Sequence, residues 1–182
     1  MKDIKCILIL SLIALMAGCA TVSVNFDYDP GTNFNNLNTY AWASKGQEKT
    51  GDARIDDNTL FHIRIRNAID TELTLKDFEK REIHLPDFWV QYNVMVQDRA
   101  DVESFGHFSS DRGGDRWGGV GGGVTTFHYT EVTLIINISD PQTKNLIWHG
   151  TGKAVVDPDA SSERKTTQIN NAVAQILAKF PP

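Results

Sequence analysis

The sequence predicts an α+β domain, a mainly antiparallel sheet of about five strands with two helices on one face, in the order ββαβββα. Five segments alternate apolar and polar residues with the period of a β-strand, and two longer segments repeat apolar residues with helical period. The connections imply few of the helical crossovers that parallel strands require, which favours antiparallel pairing.

The first two strands are predicted for residues 22–28 and 39–43. In the first, every second residue is apolar: Val22, Val24, Phe26 and Tyr28. The second places Tyr40 and Trp42 on one side. Residues 44–58 are polar and indicate a loop.

The first helix is predicted for residues 60–76, with Asp56 or Asp57 as its N-cap. Its apolar residues share one face: Phe61, Ile65, Ala68, Ile69 and Leu73. The last helix begins after Ser161 or Ser162, and its apolar stripe follows the same rule: Ile169, Ala172, Val173, Ile176 and Phe180.

Three strands are predicted between the helices, at residues 88–96, 126–139 and 146–156. Turn chemistry in residues 140–145 predicts that the last two form a hairpin. In the first of the three, Trp89 alternates with apolar neighbours and is expected on the opposite face. A Trp on an open sheet face is a candidate partner contact.

The N-terminus predicts export and lipidation. Lys2 and Lys5 precede an apolar stretch, residues 6–16, that is too short to span a membrane. Ala17-Gly18-Cys19 follows, and the arrangement resembles the signal of bacterial lipoproteins, which are cut before the cysteine that carries the lipid. The alternatives are a signal peptide cut elsewhere and an uncleaved helix.

The resemblance implies that residues 1–18 are removed and that residues 19–182 form one periplasmic domain. Cys19 is then the lipid site. In lipoproteins of Gram-negative bacteria, an Asp after this cysteine commonly retains the protein in the inner membrane. Ala20 at that position implies the periplasmic face of the outer membrane. The whole chain has a formal net charge of −5, and loss of the net +1 of the signal leaves −6. This balance argues against nucleic acid as a partner.

Chemical motifs are few. The glycine-rich stretch 113–123 lacks the strand, helix and lysine of a phosphate loop. It indicates a hairpin linker, with Arg116 and Trp117 as alternative partner contacts. The histidines lack metal-ligand spacing, although His107 and His128 flank this stretch. We therefore expect no metal and no cofactor.

Catalytic carboxylates are not expected either. The candidates are Asp27, Asp29 and Asp70, which would have to converge in one cleft to act as acid and base. Asp29 fits a turn, and Asp70 on a helix is expected to be solvated. The sequence thus predicts that the protein is not an enzyme.

Several motifs together resemble bacterial lipoproteins that contain domain of unknown function 4136. They are the runs 24–30, 39–42, 86–90, 134–138 and 147–150, with Phe180-Pro181 at the end. That family often has a Gly-aromatic pair after its first helix, where this chain has Asp77-Phe78. The resemblance implies an envelope lipoprotein and no catalytic residue.

The first functional hypothesis is a non-catalytic, membrane-anchored module that binds an envelope protein, glycan or lipid. The second is a carrier or sensor of a small lipophilic molecule held between the sheet and the helices. A hydrolase is the third.

Overall fold

The computed structural model of the chain describes residues 22–43, 50, 52–82, 84–105, 123–157 and 159–182. Within these ranges one sheet has six strands: β1 Ser23–Tyr28, β2 Thr39–Trp42, β3 Glu79–Lys80, β4 Phe88–Phe105, β5 Gly123–Ser139 and β6 Leu146–Val156. The α-helices of the same ranges are α1 Ala53–Asp56, α2 Thr59–Leu75 and α3 Ser162–Leu177. A 3-10 turn, Phe34–Asn36, follows β1.

The α+β class and the mainly antiparallel pairing are confirmed, but the sheet is mixed and has six strands rather than about five. The strand order is β1-β6-β5-β4-β2-β3, and β2 pairs in parallel with both β3 and β4. The chain reaches β3 and β4 from β2 through α2, a crossover that returns it in the same direction. The sixth strand, β3, has only two residues, both exposed and polar, so it carries no hydrophobic signal.

The predicted hairpin of β5 and β6 is confirmed by antiparallel pairing from Thr130↔Val156 to Ser139↔Leu146. Its turn depends on Asp140, whose Oδ1 accepts hydrogen bonds from the backbone N–H groups of Gln142 and Thr143 at 2.8 and 2.6 Å. Strand β4 is longer than predicted. Its apolar alternation ends at Val96, but its backbone ladder with β5 continues to Phe105↔Gly123.

Helix α2 begins one residue earlier than predicted and has a different cap. The Asn58 side chain, not Asp56 or Asp57, accepts the Phe61 N–H at 3.0 Å. At the other end Asp77 has a φ of 66°, the left-handed conformation that glycine adopts most readily. The turn therefore keeps the geometry expected for a Gly-aromatic pair, and Phe78 is buried.

The hydrophobic core lies between one face of the sheet and the helices α2 and α3. Its largest fully buried side chains are Tyr40, Ile65, Ile69, Leu73, Phe88, Val90, Ile136, Ile138, Trp148, Ile176, Leu177 and Phe180. Helix α3 has the predicted cap, since Ser161 Oγ accepts the Arg164 N–H at 3.3 Å. Among the described helices none is long and apolar enough to cross a membrane.

Candidate functional site

An apolar cavity of about 300 Å³ separates part of the sheet from the helices α2 and α3. This volume is at the lower end of the range of small-molecule sites, about 300–1,000 Å³. The wall is formed by side chains of the sheet, of both long helices, of the segment before β1 and of α1. Its apolar members are Val22, Ile55, Phe61, Ile65, Val96, Val132, Leu134, Ala154, Val155, Val156, Ile169 and Ala172. We call this space the apolar cavity.

Side-chain size explains where the helix α3 meets the sheet and where it does not. At Gly150 an added Cβ atom would clash with the Trp148 ring and stand 2.7 Å from Ile176 Cγ2. The C-terminal half of α3 therefore packs directly against the backbone of β6. Further toward its N-terminus, α3 presents Ala172 and the half-buried Ile169 to the cavity, which Ala154 of β6 also lines. Neither alanine is large enough to fill the gap.

The rim of the apolar cavity is polar and carries charge of both signs. The lining includes Arg64 from α2, Lys165 from α3 and Asp157 after β6, and its uncharged polar members are Asn58, Thr130, Gln168 and Asn171. The pKa of the Glu163 carboxyl is lowered by a hydrogen bond from its own backbone N–H, by Ser161 and by the charge of Arg64. Arg64 of α2 thus acts electrostatically on the first turn of α3.

A hydrogen-bonded pair beside the cavity fixes the N-terminal half of α2 to the sheet. His62 Nδ1 lies 3.1 Å from Tyr92 Oη, and His62 Nε2 lies 3.0 Å from the Ile55 carbonyl oxygen. Because a carbonyl only accepts, Nε2 carries the proton that it donates, and a neutral imidazole then accepts the Tyr92 hydroxyl proton at Nδ1. Burial raises the pKa of Tyr92 to about 12, against the opposing charge of Arg66.

A second polar cluster fixes the C-terminal half of α2. Asp70 Oδ1 accepts hydrogen bonds from Tyr40 Oη at 2.9 Å and Trp42 Nε1 at 3.0 Å, and Oδ2 pairs with Lys80 Nζ at 2.9 Å. The prediction that Asp70 is solvated is therefore wrong, since its donors come from β2 and β3. Burial and the Asp70 carboxylate both raise the pKa of Tyr40.

The three candidate carboxylates do not converge. Asp27 belongs to β1, at the opposite edge of the sheet from β2 and β3, where Asp70 is bound. Asp29 has the predicted turn role, since its Oδ1 accepts the Gly31 N–H at 2.9 Å. Within the described part of the chain, no group of three or more His, Cys, Asp or Glu residues is placed to hold a metal ion.

Trp89 lies on the face of β4 opposite to the buried Phe88 and Val90, as the alternation predicts. It is half-buried, and Lys144 Nζ lies 3.6 Å from the centroid of its ring. Trp89 also lines a second, polar cavity of about 440 Å³ at the edge of the sheet. The other lining residues of this edge cavity are Ala41, Trp42, Arg66, Lys80, Arg81, Glu82, His84, Leu85 and Pro86.

Several predicted site residues lie outside the described residues: Cys19, Ala20, His107, Arg116 and Trp117. The same applies to the glycine-rich stretch except for its last residue, Gly123, where β5 begins. The side chain of His128 is also outside them. The apolar cavity itself was not located by the sequence prediction. The sequence feature that corresponds to it is a small residue, Ala154 or Ala172, on an otherwise apolar face. This feature indicates a cavity only when the packing of the helix on the strand is known.

No curated protein sequence matches the chain. Among solved structures, it is similar to a PDZ domain protein from Parabacteroides distasonis, with 15% sequence identity and a TM-score of 0.55. That match covers 88% of this chain and 36% of the other, so this chain spans about a third of that protein. At this identity the similarity shows the fold alone.

Two further structures are more distant. The PelC dodecamer from Paraburkholderia phytofirmans matches with 10% identity and a TM-score of 0.43, covering 87% of this chain and 96% of that one. A protein described as a neuraminyllactose-binding hemagglutinin homolog from Helicobacter pylori matches with 13% identity and a TM-score of 0.49, covering 86% and 90%. Both TM-scores are too low to carry a conclusion.

The family comparison is more extensive. The family model described as domain of unknown function (DUF4136) matches residues 24–182. This range includes strands β2 to β6, helices α1 to α3, and all of β1 except Ser23. The chain therefore belongs to the DUF4136 family.

Proposed function

We propose that this protein is a non-catalytic, lipid-anchored component of the bacterial envelope that binds a small lipophilic molecule in the apolar cavity. One observation carries the proposal: two helices and a sheet line a cavity of about 300 Å³ whose wall is mostly apolar. Apolar side chains that line unfilled space lack van der Waals contacts on that side. A ligand that fills the space therefore gains these contacts and is itself removed from water. This favours the second of the three functional hypotheses.

The chemistry of the cavity indicates an amphipathic ligand. An alkyl chain in the apolar part gains about 0.8 kcal/mol for each methylene removed from water. Arg64 and Lys165 at the rim suit a polar or anionic head group that stays near solvent. The proposed ligand is therefore a single-chain lipid or a fatty acid rather than a rigid polar metabolite.

The proposed location follows from the sequence of the N-terminus. Cys19 after a short apolar segment supports lipid attachment, and Ala20 supports sorting to the periplasmic face of the outer membrane. Several acyl chains on one cysteine anchor a protein durably, whereas a single chain gives only marginal binding. A protein held at a bilayer has direct access to lipophilic ligands.

Titration with N-phenyl-1-naphthylamine, whose fluorescence rises in apolar surroundings, tests the proposal. We use the full chain with Cys19→Ser, which lacks the acylated thiol, and expect saturable binding. Adding Ala172→Leu fills part of the cavity and should weaken binding about tenfold, which is about 1.4 kcal/mol. Ala178→Leu is the matched control, because this alanine is exposed just beyond the end of α3.

The outcomes are distinct. Saturable binding that Ala172→Leu weakens and Ala178→Leu leaves unchanged supports a ligand site in the apolar cavity. Absence of saturable binding, or equal affinities of the two variants, contradicts it.

The first hypothesis, binding of an envelope partner, has one specific observation in its favour. Trp89 lines the edge cavity beside Arg66 and Arg81, and aromatic and arginine side chains are enriched at the centres of interfaces. A photoreactive residue in place of Trp89 should then capture an envelope component in living cells. If the same capture is obtained from exposed Met95 on the same face of β4, the contact is not specific to the edge cavity.

A further inference from the structure

The polypeptide enters the described fold at the wall of the apolar cavity. Val22, the first described residue, lines the cavity and is 9% exposed. Its Cγ1 atom lies 3.1 Å from the place that a Cβ atom on Gly152 would occupy, so it is seated on β6. The segment that carries the predicted lipid site is therefore joined directly to the wall of the cavity.

The distance from this wall to the predicted lipid is short. Cys19 precedes Val22 by three residues, and an extended chain spans at most about 3.6 Å per residue, or about 11 Å here. An acyl chain attached to Cys19 adds its own length to this reach. The lipid of the protein itself is thus tethered within reach of the cavity, at a high effective concentration compared with any free ligand.

We infer that the resting occupant of the apolar cavity is one acyl chain of the lipid on the protein's own Cys19. The inference rests on the proposed function, since it names the occupant of the same cavity. The apolar wall matches a hydrocarbon chain, whose methylene groups gain free energy when they are sheltered from water. The cavity has a volume of about 300 Å³, so we assign it a single chain, and the remaining chains stay in the bilayer.

This arrangement couples ligand binding to anchoring. A free lipophilic ligand competes with the tethered chain for the cavity and releases that chain into the bilayer. Because membrane affinity rises with the number of inserted chains, the liganded protein is held more tightly than the resting one. The cavity then acts as a sensor whose output is the strength of the anchor.

Photo-crosslinking tests the inference on the full lipidated protein in its own membrane. The photoreactive amino acid p-benzoylphenylalanine replaces Ile169, which lines the cavity. After irradiation and digestion, mass spectrometry should find the peptide of residue 169 joined to the lipidated N-terminal peptide. Leu75, 72% exposed at the end of α2, is the control position and should give no such product. Val156 is a second cavity position in case the substitution at Ile169 impairs folding.

The outcomes separate the inference from the proposed function. A crosslink to the N-terminal lipopeptide that Cys19→Ser abolishes supports the inference. A crosslink from residue 169 to a free lipid instead overturns it and leaves the proposed function standing. Absence of any lipid crosslink overturns it as well, and binding of N-phenyl-1-naphthylamine by the Cys19→Ser chain then decides whether the proposed function also fails.

Discussion

The two ends of the interface between the sheet and the helices differ in how they are filled. At one end, which we call the closed end, the Phe180 ring lies 5.5 Å from the rings of Phe78 and Phe88 and 5.3 Å from that of Trp148, between centroids. At the other, the apolar cavity, Ala154 and Ala172 both line open space. The same helices and the same sheet form both ends. The size of the side chains therefore decides which end is filled and which leaves space for the proposed ligand.

Truncating the closed end should have the largest effect. Trp148 is fully buried, and its Nε1 donates a hydrogen bond to the Lys179 carbonyl at 3.2 Å. Trp148→Ala should lower the free energy of unfolding by about 3–5 kcal/mol, because it leaves a large cavity. Urea denaturation measures this, with Leu146→Ala as the control. Leu146 is 52% exposed on the same strand and should cost less than about 1 kcal/mol. Equal costs for the two variants would contradict the assignment of the closed end.

The burial of the Tyr92 hydroxyl next to the cavity predicts sensitivity to alkali. Burial raises the pKa of Tyr92 from 10.0 to about 12, so the folded state keeps the phenol protonated where the unfolded chain loses the proton. This contribution is complete below pH 10 and is lost as the pH rises to about 12. Two pKa units correspond to about 2–3 kcal/mol.

Unfolding measurements from pH 9 to 12 check this prediction against the variant Tyr92→Phe. The variant should show a shallower loss of stability over this range, whatever its stability at neutral pH. Parallel curves for the two proteins would show that Tyr92 titrates alike in the folded and unfolded chain.

Asp70 secures the opposite half of α2, towards the closed end. Asp70→Ala leaves the hydroxyl of Tyr40 and the indole N–H of Trp42 without the acceptor that they share. We expect a loss of about 2 kcal/mol in unfolding free energy, measured by urea denaturation. The control is Asp57→Ala at an exposed position before α2. If the two variants lose the same stability, the Asp70 cluster contributes nothing beyond a surface charge.

Filling the cavity should have the smallest effect on stability, and of opposite sign. Ala154→Leu places methyl groups in open space and should raise the free energy of unfolding by about 1 kcal/mol, while it weakens binding of N-phenyl-1-naphthylamine. Ala100→Leu on the exposed part of β4 is the control and should change neither. A loss of stability in Ala154→Leu would mean that the space is already closed by its neighbours.

Much of this fold is predictable from local patterns. The alternation of apolar and polar residues in β5 and β6 and the turn residues around Asp140 predict the hairpin, because the polarity of each side chain matches its burial. The parallel pairing of β2 is not predictable in this way, since Glu79 and Lys80 in β3 are polar and exposed. The half of β4 beyond Val96 is polar and was missed for the same reason: its pairing is carried by backbone hydrogen bonds.

The candidate site was predicted only in outline. A space between sheet and helices follows from the layered architecture, but its position depends on where small residues lie at the interface. Ala154 and Ala172 are 18 positions apart in sequence and belong to different elements, so only the packed fold brings them together. The role of Asp70 was missed likewise, because its donors Tyr40 and Trp42 come from a distant strand.

Methyl NMR of the full chain with Cys19→Ser, titrated with N-phenyl-1-naphthylamine, tests the difference between the two ends most directly. The resonances of the cavity methyl groups of Val132, Val156 and Ile169 should shift and saturate together. The fully buried methyl groups of Val90 and Ile138 in the core should stay unchanged. Shifts confined to these core methyl groups, or no saturable shift at either end, would contradict the assignment of the apolar cavity as the binding site.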